Sequence, residues 1–438
     1  MATKPRLPRG RQFFANPGPT NIPDSVLHAV AHVTVDFNDP AFMPIYEQCV
    51  AGLKRVLKTE QEVFMYTGSG HAAWEASLVN LFSPGDKVAI IETGYFSLSW
   101  AQMAKDLSLE VETIAADWRR GLDFTALRAA LAADTTHSIK AICAVHNETA
   151  TGMELPLKQV RAVMDEVGHP ALLLSDTISS LGSLEFRMDD WGIDVAVGGS
   201  QKGLMLPTGM SFTGVSAKAL AAHKTSRLPK SYLSWTNMLT RKHKSFVGTV
   251  PTSLFYGLQE SLRLLEEEGL DEVCARHSRL AEAVRRCVRH WSGNAGPQLF
   301  CTNPDRYSDS VTAVMMPEGH DAEAVRRCVR HWSGNAGPQL FCTNPDRYSD
   351  SVTAVMMPEG HDAEAVRRTA LQSFNVSLGG GLGPLGGKVF RIGHLGDLNE
   401  PMILGTLSVV EMALKLNGVP HAPGGVAAAM EYLAEAAR

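Results

Sequence analysis

The chain is predicted to adopt an α/β fold, with a mainly parallel sheet between helices and a smaller α+β domain at its C-terminal end. Short apolar runs at 170–176 and 194–198 end in a polar or small residue, which is typical of strands buried on both faces. Segments with helical spacing alternate with such runs along the chain. A glycine-rich turn at 67–71 leads from a strand pattern into a helix pattern.

Predicted strands and helices alternate through the first two thirds of the chain, and one further helix is predicted near its C-terminal end. In order, they are the strand 63–66 and helix 72–82, the strand 87–91 and helix 97–107, the strand 140–145 and helix 157–167, the strands 170–176 and 194–198, the strand 210–214 with its direction left open, and the helices 254–268 and 401–416. We expect a large domain over 24–268, a small domain over 269–438 and an N-terminal segment 1–23 over the active site, with its first residues packing beside the small domain.

The composition is typical of a soluble protein of enzyme size. Of 438 residues, 45% are hydrophobic and 20% are charged, with a formal net charge of −5, so neither nucleic acid nor an anionic membrane is expected as a partner. No apolar run is long enough to span a membrane. The basic, proline-broken N-terminus lacks an apolar signal region. The seven cysteines show no C-x-x-C spacing, and a cytoplasmic location is expected.

Lys202 and Asp176 are the first candidates for chemistry. Each follows or ends a predicted buried strand, which places both at the carboxyl edge of a parallel sheet, where ligands bind. A lysine can form an imine with the aldehyde of pyridoxal phosphate, and a carboxylate can keep the pyridinium nitrogen protonated. A lysine after a Gly-Ser turn is equally typical of a solvated loop, so these two residues alone leave both interpretations open.

The turn at 67–71, Thr-Gly-Ser-Gly-His, adds a candidate phosphate site. Its small residues let the backbone approach an anion, and the free N–H groups at the start of the following helix favour negative charge. Such turns are weak evidence alone because many are only helix caps. Together with Lys202 and Asp176, the turn predicts a phosphorylated cofactor.

Six stretches carry a resemblance to a known family. They are 16–23 (Asn-Pro-Gly-Pro-Thr-Asn-Ile-Pro), 67–71, 146–152 (His-Asn-Glu-Thr-Ala-Thr-Gly), 186–192, 199–203 (Gly-Ser-Gln-Lys-Gly) and 388–396. The chain resembles the class V, fold-type I aminotransferases, most of all the serine–glyoxylate and alanine–glyoxylate group. The resemblance implies a seven-stranded sheet in the large domain and pyridoxal 5′-phosphate as the cofactor.

The resemblance also implies roles for individual residues. Lys202 is the Schiff-base lysine and Asp176 the partner of the pyridinium nitrogen. The implied cofactor-binding residues are Ser69, Gly70, His71, Phe96, Thr149, Gln201 and Thr249. The stacking role of Phe96 rests mainly on the resemblance, because an aromatic residue after a strand is more often core. No metal site is expected: His28 and His32, spaced i, i+4 on a predicted helix, lack a third ligand.

Arg391 is the candidate substrate-binding residue. It lies in a short alternating strand, where an inward arginine requires an anionic partner. That partner is either a substrate α-carboxylate or an Asp or Glu of the chain, and the resemblance favours the substrate. The loop around Gly18 is expected to pass over the active site.

The implied activity is the transfer of an amino group from a small amino acid to glyoxylate, giving glycine and a 2-oxo acid. Serine is the favoured donor, and alanine and aspartate are the others. The implied assembly is a homodimer in which the neighbouring subunit completes the site.

Two positions depart from the family pattern. Asn38 stands where relatives that use glyoxylate usually have an arginine, near the expected donor side chain, which makes serine less secure as the donor. Thr249 matches a residue that relatives lend to the neighbouring phosphate, but the tyrosine often found beside it is absent.

Three other functions are compared with this one. A transaminase of the pyridoxamine–pyruvate type is the nearest alternative, and the segment 39–42 is similar to its N-terminal region. A protein that binds vitamin B6 without turnover is the non-enzymatic alternative. A cysteine desulfurase is disfavoured, because Cys301 and Cys342 do not lie in a segment that matches its mobile loop.

The chain contains a tandem repeat without a single difference. Residues 281–321 recur as 322–362, and Ala-Glu-Ala-Val-Arg-Arg appears a third time at 363–368. A solenoid needs at least three units, so this pair inside an α/β domain indicates a recent duplication or an assembly error. We expect one copy to pack in the small domain and the other to be extruded or to attach at an edge.

Overall fold

The computed structural model describes residues 12–118, 120–241, 246–292, 310–312, 339–340, 351–357 and 361–437. The strands are β1 Phe13–Ala15, β2 Glu62–Thr67, β3 Lys87–Glu92, β4 Glu110–Ala115, β5 Ile139–Val145, β6 Asn147–Glu148, β7 Met153–Glu154, β8 Leu172–Asp176, β9 Val195–Gly199, β10 Met210–Val215, β11 Ser310–Thr312, β12 Gln339–Leu340, β13 Ser351–Met356, β14 Val376–Gly380 and β15 Val389–Gly393. The helices are α1 Asp24–Val30, α2 Met43–Leu57, α3 Gly70–Leu81, α4 Tyr95–Asp106, α5 Phe124–Ala133, α6 Leu157–Val167, α7 Ala217–His223, α8 Trp235–Leu239, α9 Thr252–Glu268, α10 Leu270–Ser292, α11 Ala363–Phe374, α12 Glu400–Leu416 and α13 Gly425–Ala436.

The chain divides into two compact units. The large unit contains Gly18–Glu148 and Leu155–Cys274, and the small unit contains Met1–Pro17, Thr149–Glu154 and Ala275–Arg438. The predicted boundaries lie at 23 and 268. The division found here instead ends the N-terminal segment at Pro17, assigns the short stretch after Glu148 to the small unit, and falls within α10.

A seven-stranded sheet forms the centre of the large unit, in the order β2-β10-β9-β8-β5-β3-β4. β10 runs antiparallel to β2 and β9, and the other neighbouring pairs are parallel. This confirms the predicted α/β class and resolves the direction of the strand at 210–214. Because β5, β8 and β9 are parallel, their carboxyl ends lie at one edge of the sheet, as predicted for Asp176 and the turn that follows β9.

The sequence pattern did not reveal β4. It pairs only with β3 at the edge of the sheet, and Ile114 is its one fully buried residue. An edge strand with polar residues lacks the apolar run by which its buried neighbours are recognised. The central strands β5, β8 and β9 are buried along nearly their whole length, so their positions were predicted to within two residues.

The small unit is built on a second sheet, in the order β1-β14-β15-β13-β11, with β12 paired to β13. β1 pairs in parallel with β14, which confirms that residues close to the N-terminus pack beside the C-terminal part. β15 carries Arg391 and lies between β14 and β13. The strand after the repeat therefore docks as expected.

Both copies of the repeat contribute to the small unit. The first copy supplies the second half of α10, including Val284, Val288 and Trp291, whereas the second copy supplies β13, with Val355 in the same core cluster. The prediction was that one copy packs and the other is extruded or attaches at an edge; β11 of the first copy does lie at the edge of the sheet, but the core contains residues of both copies. β11, from the first copy, pairs in parallel with β13 in a register that joins Ser310 to Ser351, its own counterpart. The other residues of the two copies lie outside the described residues.

Candidate active site

Asp176 ends β8 and is buried, with 5% of its surface exposed. Its Oδ1 accepts a hydrogen bond from the backbone N–H of Ile178 at 2.7 Å, and its Oδ2 accepts one from the indole Nε1 of Trp74 at 3.1 Å. Burial raises the pKa of Asp176 to about 7, while the two N–H donors and the charge of Lys202 act in the opposite direction. The carboxyl group is thus fixed in orientation and is sensitive to nearby positive charge.

Lys202 lies in the turn that follows β9, and its main chain is held in a narrow space. The carbonyl oxygen of Lys202 accepts hydrogen bonds from Thr20 Oγ1 at 3.1 Å and from the backbone N–H of Met205 at 2.9 Å. A Cβ added to Gly203 would lie 2.2 Å from the carbonyl oxygen of Leu181, so no larger residue fits there. The turn therefore presents Lys202 from a backbone that is fixed on both sides.

Gly18 lies against the side chain of Lys202. A Cβ at this position would be 2.5 Å from Cδ, Cε and Nζ of the lysine, and the φ angle of Gly18 is +122°. Both features favour glycine. The expected passage of this loop over the active site corresponds to this close approach within the large unit.

The candidate phosphate site is the start of α3. The structure begins this helix at Gly70, two residues before the predicted start, with Ser69 as its N-cap residue, so Gly70 and His71 are in the first turn. A Cβ on Gly70 would lie 2.1 Å from Cδ1 of Ile178, so the Ile178 side chain would have to shift to admit a larger residue where the helix start meets the loop after β8. Desolvation lowers the pKa of the His71 imidazole, which favours its neutral form.

Phe96 is half-buried in the first turn of α4, and its ring meets that of Trp74 edge-on at 6.4 Å. The buried carboxylate of Glu148 accepts hydrogen bonds from the backbone N–H groups of Phe96 at 3.1 Å and Ser97 at 3.2 Å. A carboxylate at a helix start complements both the free N–H groups and the helix dipole. Glu148 thereby fixes the position from which the Phe96 ring projects.

These residues of the large unit fit pyridoxal 5′-phosphate. The protonated ring nitrogen of the cofactor would supply the positive charge that the buried Asp176 carboxyl favours. The buried Oε1 of Gln201, next to Lys202, has no hydrogen-bond partner among the described residues and is an acceptor for a phosphate hydroxyl or a water. The N–H groups at the start of α3 suit the phosphate itself.

Arg391 and Thr149 belong to the small unit. The side chain of Arg391 is 8% exposed, with Nε donating to the carbonyl oxygen of Gly380 at 2.7 Å and Nη1 donating to that of Thr149 at 3.2 Å. The two carbonyl oxygens orient the guanidinium group. Thr149 itself is buried.

Two predicted site residues lie apart from these clusters. Asn38 is exposed, and its side-chain amide donates to Asp36 Oδ1 at 3.2 Å, within its own short turn. Thr249 is also exposed. The contact of Asn38 with the donor and that of Thr249 with the phosphate of a neighbouring subunit stay predictions.

The described residues contain neither a candidate metal-binding cluster nor a membrane-spanning helix. Within the described ranges, no group of three or more His, Cys, Asp or Glu side chains could hold a metal ion, and α1 ends at Val30, before His32. None of the described helices is both long enough and apolar enough to cross a membrane.

The contacts of Trp74 with Asp176 and of Glu148 with the start of α4 were not predicted from the sequence. Trp74 occupies a helix position that looks like ordinary core, and its bond to Asp176 joins residues 102 positions apart. Glu148 lies inside the 146–152 stretch that carries the resemblance, but only the structure shows that its carboxylate faces the start of α4.

The comparisons with known proteins agree with this geometry. The aminotransferase class-V family matches residues 12–331. The L-aspartate–glyoxylate aminotransferase of Paracoccus denitrificans is 38% identical, over 95% of this chain and 94% of that protein. The serine–glyoxylate aminotransferase of Arabidopsis thaliana is 39% identical, over 97% and 96%. The solved structure of an alanine–glyoxylate aminotransferase from Nostoc sp. superposes with a TM-score of 0.76 at 29% identity, covering 93% of this chain and 97% of that one. The family uses pyridoxal 5′-phosphate, and the chain belongs to the class V aminotransferases.

Proposed function

We propose that this protein transfers the amino group of a small amino acid to glyoxylate, producing glycine and a 2-oxo acid. The aspartate, serine and alanine enzymes named above differ in donor but share glyoxylate in their names. The acceptor is therefore better supported than any one donor. The observation that carries the proposal is the buried Asp176 carboxyl beside Lys202, at the edge where β8 and β9 end.

The proposed roles of the residues follow from their positions. When bound, the cofactor withdraws electrons from the substrate α-carbon. Nζ of Lys202 would hold the cofactor covalently, and after a donor amine has displaced it, the freed amine of Lys202 would move the proton of the donor α-carbon. Asp176 keeps the ring nitrogen protonated through an ion-pair contact. Arg391 binds the α-carboxylate that all donors share.

The remaining candidates hold the cofactor in place. We assign Ser69, Gly70, His71 and Gln201 to the phosphate, Phe96 to the face of the ring and Thr149 to its edge. We assign Thr249 to the phosphate of a neighbouring subunit in a homodimer, and we place the enzyme in the cytoplasm. In the part of the chain that the structure describes, the cysteines form no disulfide bond, which agrees with a reducing compartment.

The donor is tested by single half-reactions. Purified protein loaded with cofactor is mixed with serine, alanine or aspartate, and the loss of the imine absorbance is followed; glyoxylate or pyruvate is then added to the aminated form. We expect glyoxylate to restore the absorbance faster than pyruvate. The Lys202→Ala variant is the control and gives no such cycle. Faster recovery with pyruvate would favour the pyridoxamine–pyruvate type, and binding without any cycle would favour a vitamin B6-binding protein.

The role of Asn38 is tested in the same assay. If this position lines the donor pocket, Asn38→Arg shifts the ratio of kcat/KM values towards aspartate or serine and away from alanine. Asp36 accepts the side-chain amide of Asn38 at 3.2 Å, so Asp36→Asn serves as a control for changes in the turn itself. Equal ratios in all three proteins would exclude Asn38 from the pocket.

A further inference from the structure

Trp74 connects the features that surround the proposed cofactor site. Its side chain is fully buried in α3. Its indole Nε1 donates a hydrogen bond to Asp176 Oδ2, and its rings meet those of His71 at 4.5 Å and Phe96 at 6.4 Å. Trp74 thus touches the acid, the helix start and the aromatic residue.

The geometry points to Trp74 as a positioning residue: its indole N–H orients the Asp176 carboxylate and keeps it anionic for pairing with the protonated ring nitrogen of the cofactor. The inference deepens the proposed function and rests on the proposed pairing of Asp176 with that nitrogen. An indole N–H can donate but cannot accept, so it favours the carboxylate over the protonated acid.

The same arrangement explains why both oxygens of Asp176 are occupied before the cofactor arrives. Ile178 holds Oδ1 through the main chain, and Trp74 holds Oδ2 through its side chain. Each carboxylate oxygen retains a further lone pair for the ring nitrogen. A carboxylate held at two points cannot rotate away from its partner, so less freedom is lost on pairing.

A matched control exists in the neighbouring residue Trp100. It is also fully buried, and its ring stacks on that of Trp74 at 5.5 Å. Unlike that of Trp74, the Nε1 of Trp100 has no hydrogen-bond partner within the described part of the chain. Trp74→Phe and Trp100→Phe remove the same atoms from the same cluster, and only the first removes a donor from Asp176.

The test measures selectivity for the ring nitrogen. Cofactor-free protein is titrated with pyridoxamine 5′-phosphate and with its analogue carrying CH in place of the ring nitrogen, and the ratio of the two dissociation constants is compared. We expect Trp74→Phe to reduce the preference for the nitrogen compound about tenfold, the size expected for a hydrogen bond to a charged group. Trp100→Phe changes the preference by less than about twofold.

A pH series adds a second readout. The ammonium of Lys202 is a charged group that acts on Asp176, and the ring of His71 lies 4.5 Å from that of Trp74. Loss of the N–H donor raises the pKa of Asp176. As the pH falls, the carboxylate of Trp74→Phe is therefore protonated first, and its preference for the nitrogen compound is lost at a higher pH than that of wild type. A role in packing alone would leave that pH unchanged.

The outcomes separate the inference from the proposed function. Equal ratios in Trp74→Phe and Trp100→Phe overturn the role of Trp74. If Asp176→Asn also keeps the wild-type ratio, the pairing of Asp176 with the ring nitrogen fails as well. Should Trp74→Phe not fold, benzothienylalanine at position 74 preserves the shape of indole without its N–H, and a wild-type ratio in that protein contradicts the inference.

Discussion

The buried Asp176 carboxyl makes the cofactor-free protein less stable at high pH, and Asp176→Asn should relieve this effect. The folded protein holds the pKa of Asp176 at about 7, against 3.8 for the free side chain. At low pH the carboxyl is protonated in both the folded and the unfolded state, so it does not lower the free energy of unfolding. As the pH rises from about 4 to about 7, the unfolded chain releases its proton first, so stability falls by about 1.36 kcal/mol per pH unit. The full interval corresponds to about 4 kcal/mol, and the part above pH 5 to about 3 kcal/mol. Asparagine cannot ionise and does not contribute this loss.

Urea unfolding of cofactor-free wild type and Asp176→Asn, from pH 5 to pH 8.5, measures the effect. We expect the free energy of unfolding of the variant to gain on that of wild type by about 3 kcal/mol over this range. With saturating pyridoxal phosphate the wild type becomes the more stable protein, because the protonated ring nitrogen pairs with the Asp176 carboxylate and cannot form an ion pair with an asparagine amide. The loaded variant also loses most of its activity. Parallel pH profiles of the two cofactor-free proteins would refute the reasoning.

Three further changes have defined outcomes. Gly18→Ala should lower stability by about 1–2 kcal/mol through its positive φ and also reduce imine formation, because its Cβ meets the Lys202 side chain; Gly85→Ala, with φ +84° and open space around it, should lower only the stability, as measured by unfolding and by imine absorbance. Arg391→Ala should raise KM for every amino acid donor about 10- to 100-fold, and a loss confined to one donor in steady-state kinetics would contradict a carboxylate-binding role. Deleting 322–362 should preserve kcat and raise the free energy of unfolding by about 1 kcal/mol, since the first copy carries the same sequence as β13 and can take its place without the 41 additional residues; a variant that does not fold would show that both copies are needed.

The parts of the fold that the sequence predicted well are those that local patterns determine. β8 and β9 are buried along their whole length, and α6 is strongly amphipathic, so each was predicted within two residues. β4 was missed because an edge strand is only half covered by its neighbours. The position of a strand in the chain says nothing about the sheet edge it will occupy.

The site shows the same distinction. Lys202 and Asp176 could be found because both follow buried strands and because the chemistry needs those two groups. Trp74 and Glu148 could not, because their roles depend on which distant atom they face. The split of the repeat between its two copies was equally beyond prediction, since identical sequences offer no local reason to prefer one copy for the helix and the other for the strand.

The pairing of β11 with β13 has a consequence for how a duplicated segment enters an existing fold. Ser310, Val311 and Thr312 pair in register with Ser351, Val352 and Thr353, so each residue is aligned with its own duplicate in a parallel ladder. This is the repeating arrangement of a cross-β stack, here limited to two layers within one molecule. β13 pairs with β15 on one side, and its other side can pair with a second strand of the same sequence. β13 can thus act as a template for β11, which adds one strand to the sheet while β13 remains paired with β15.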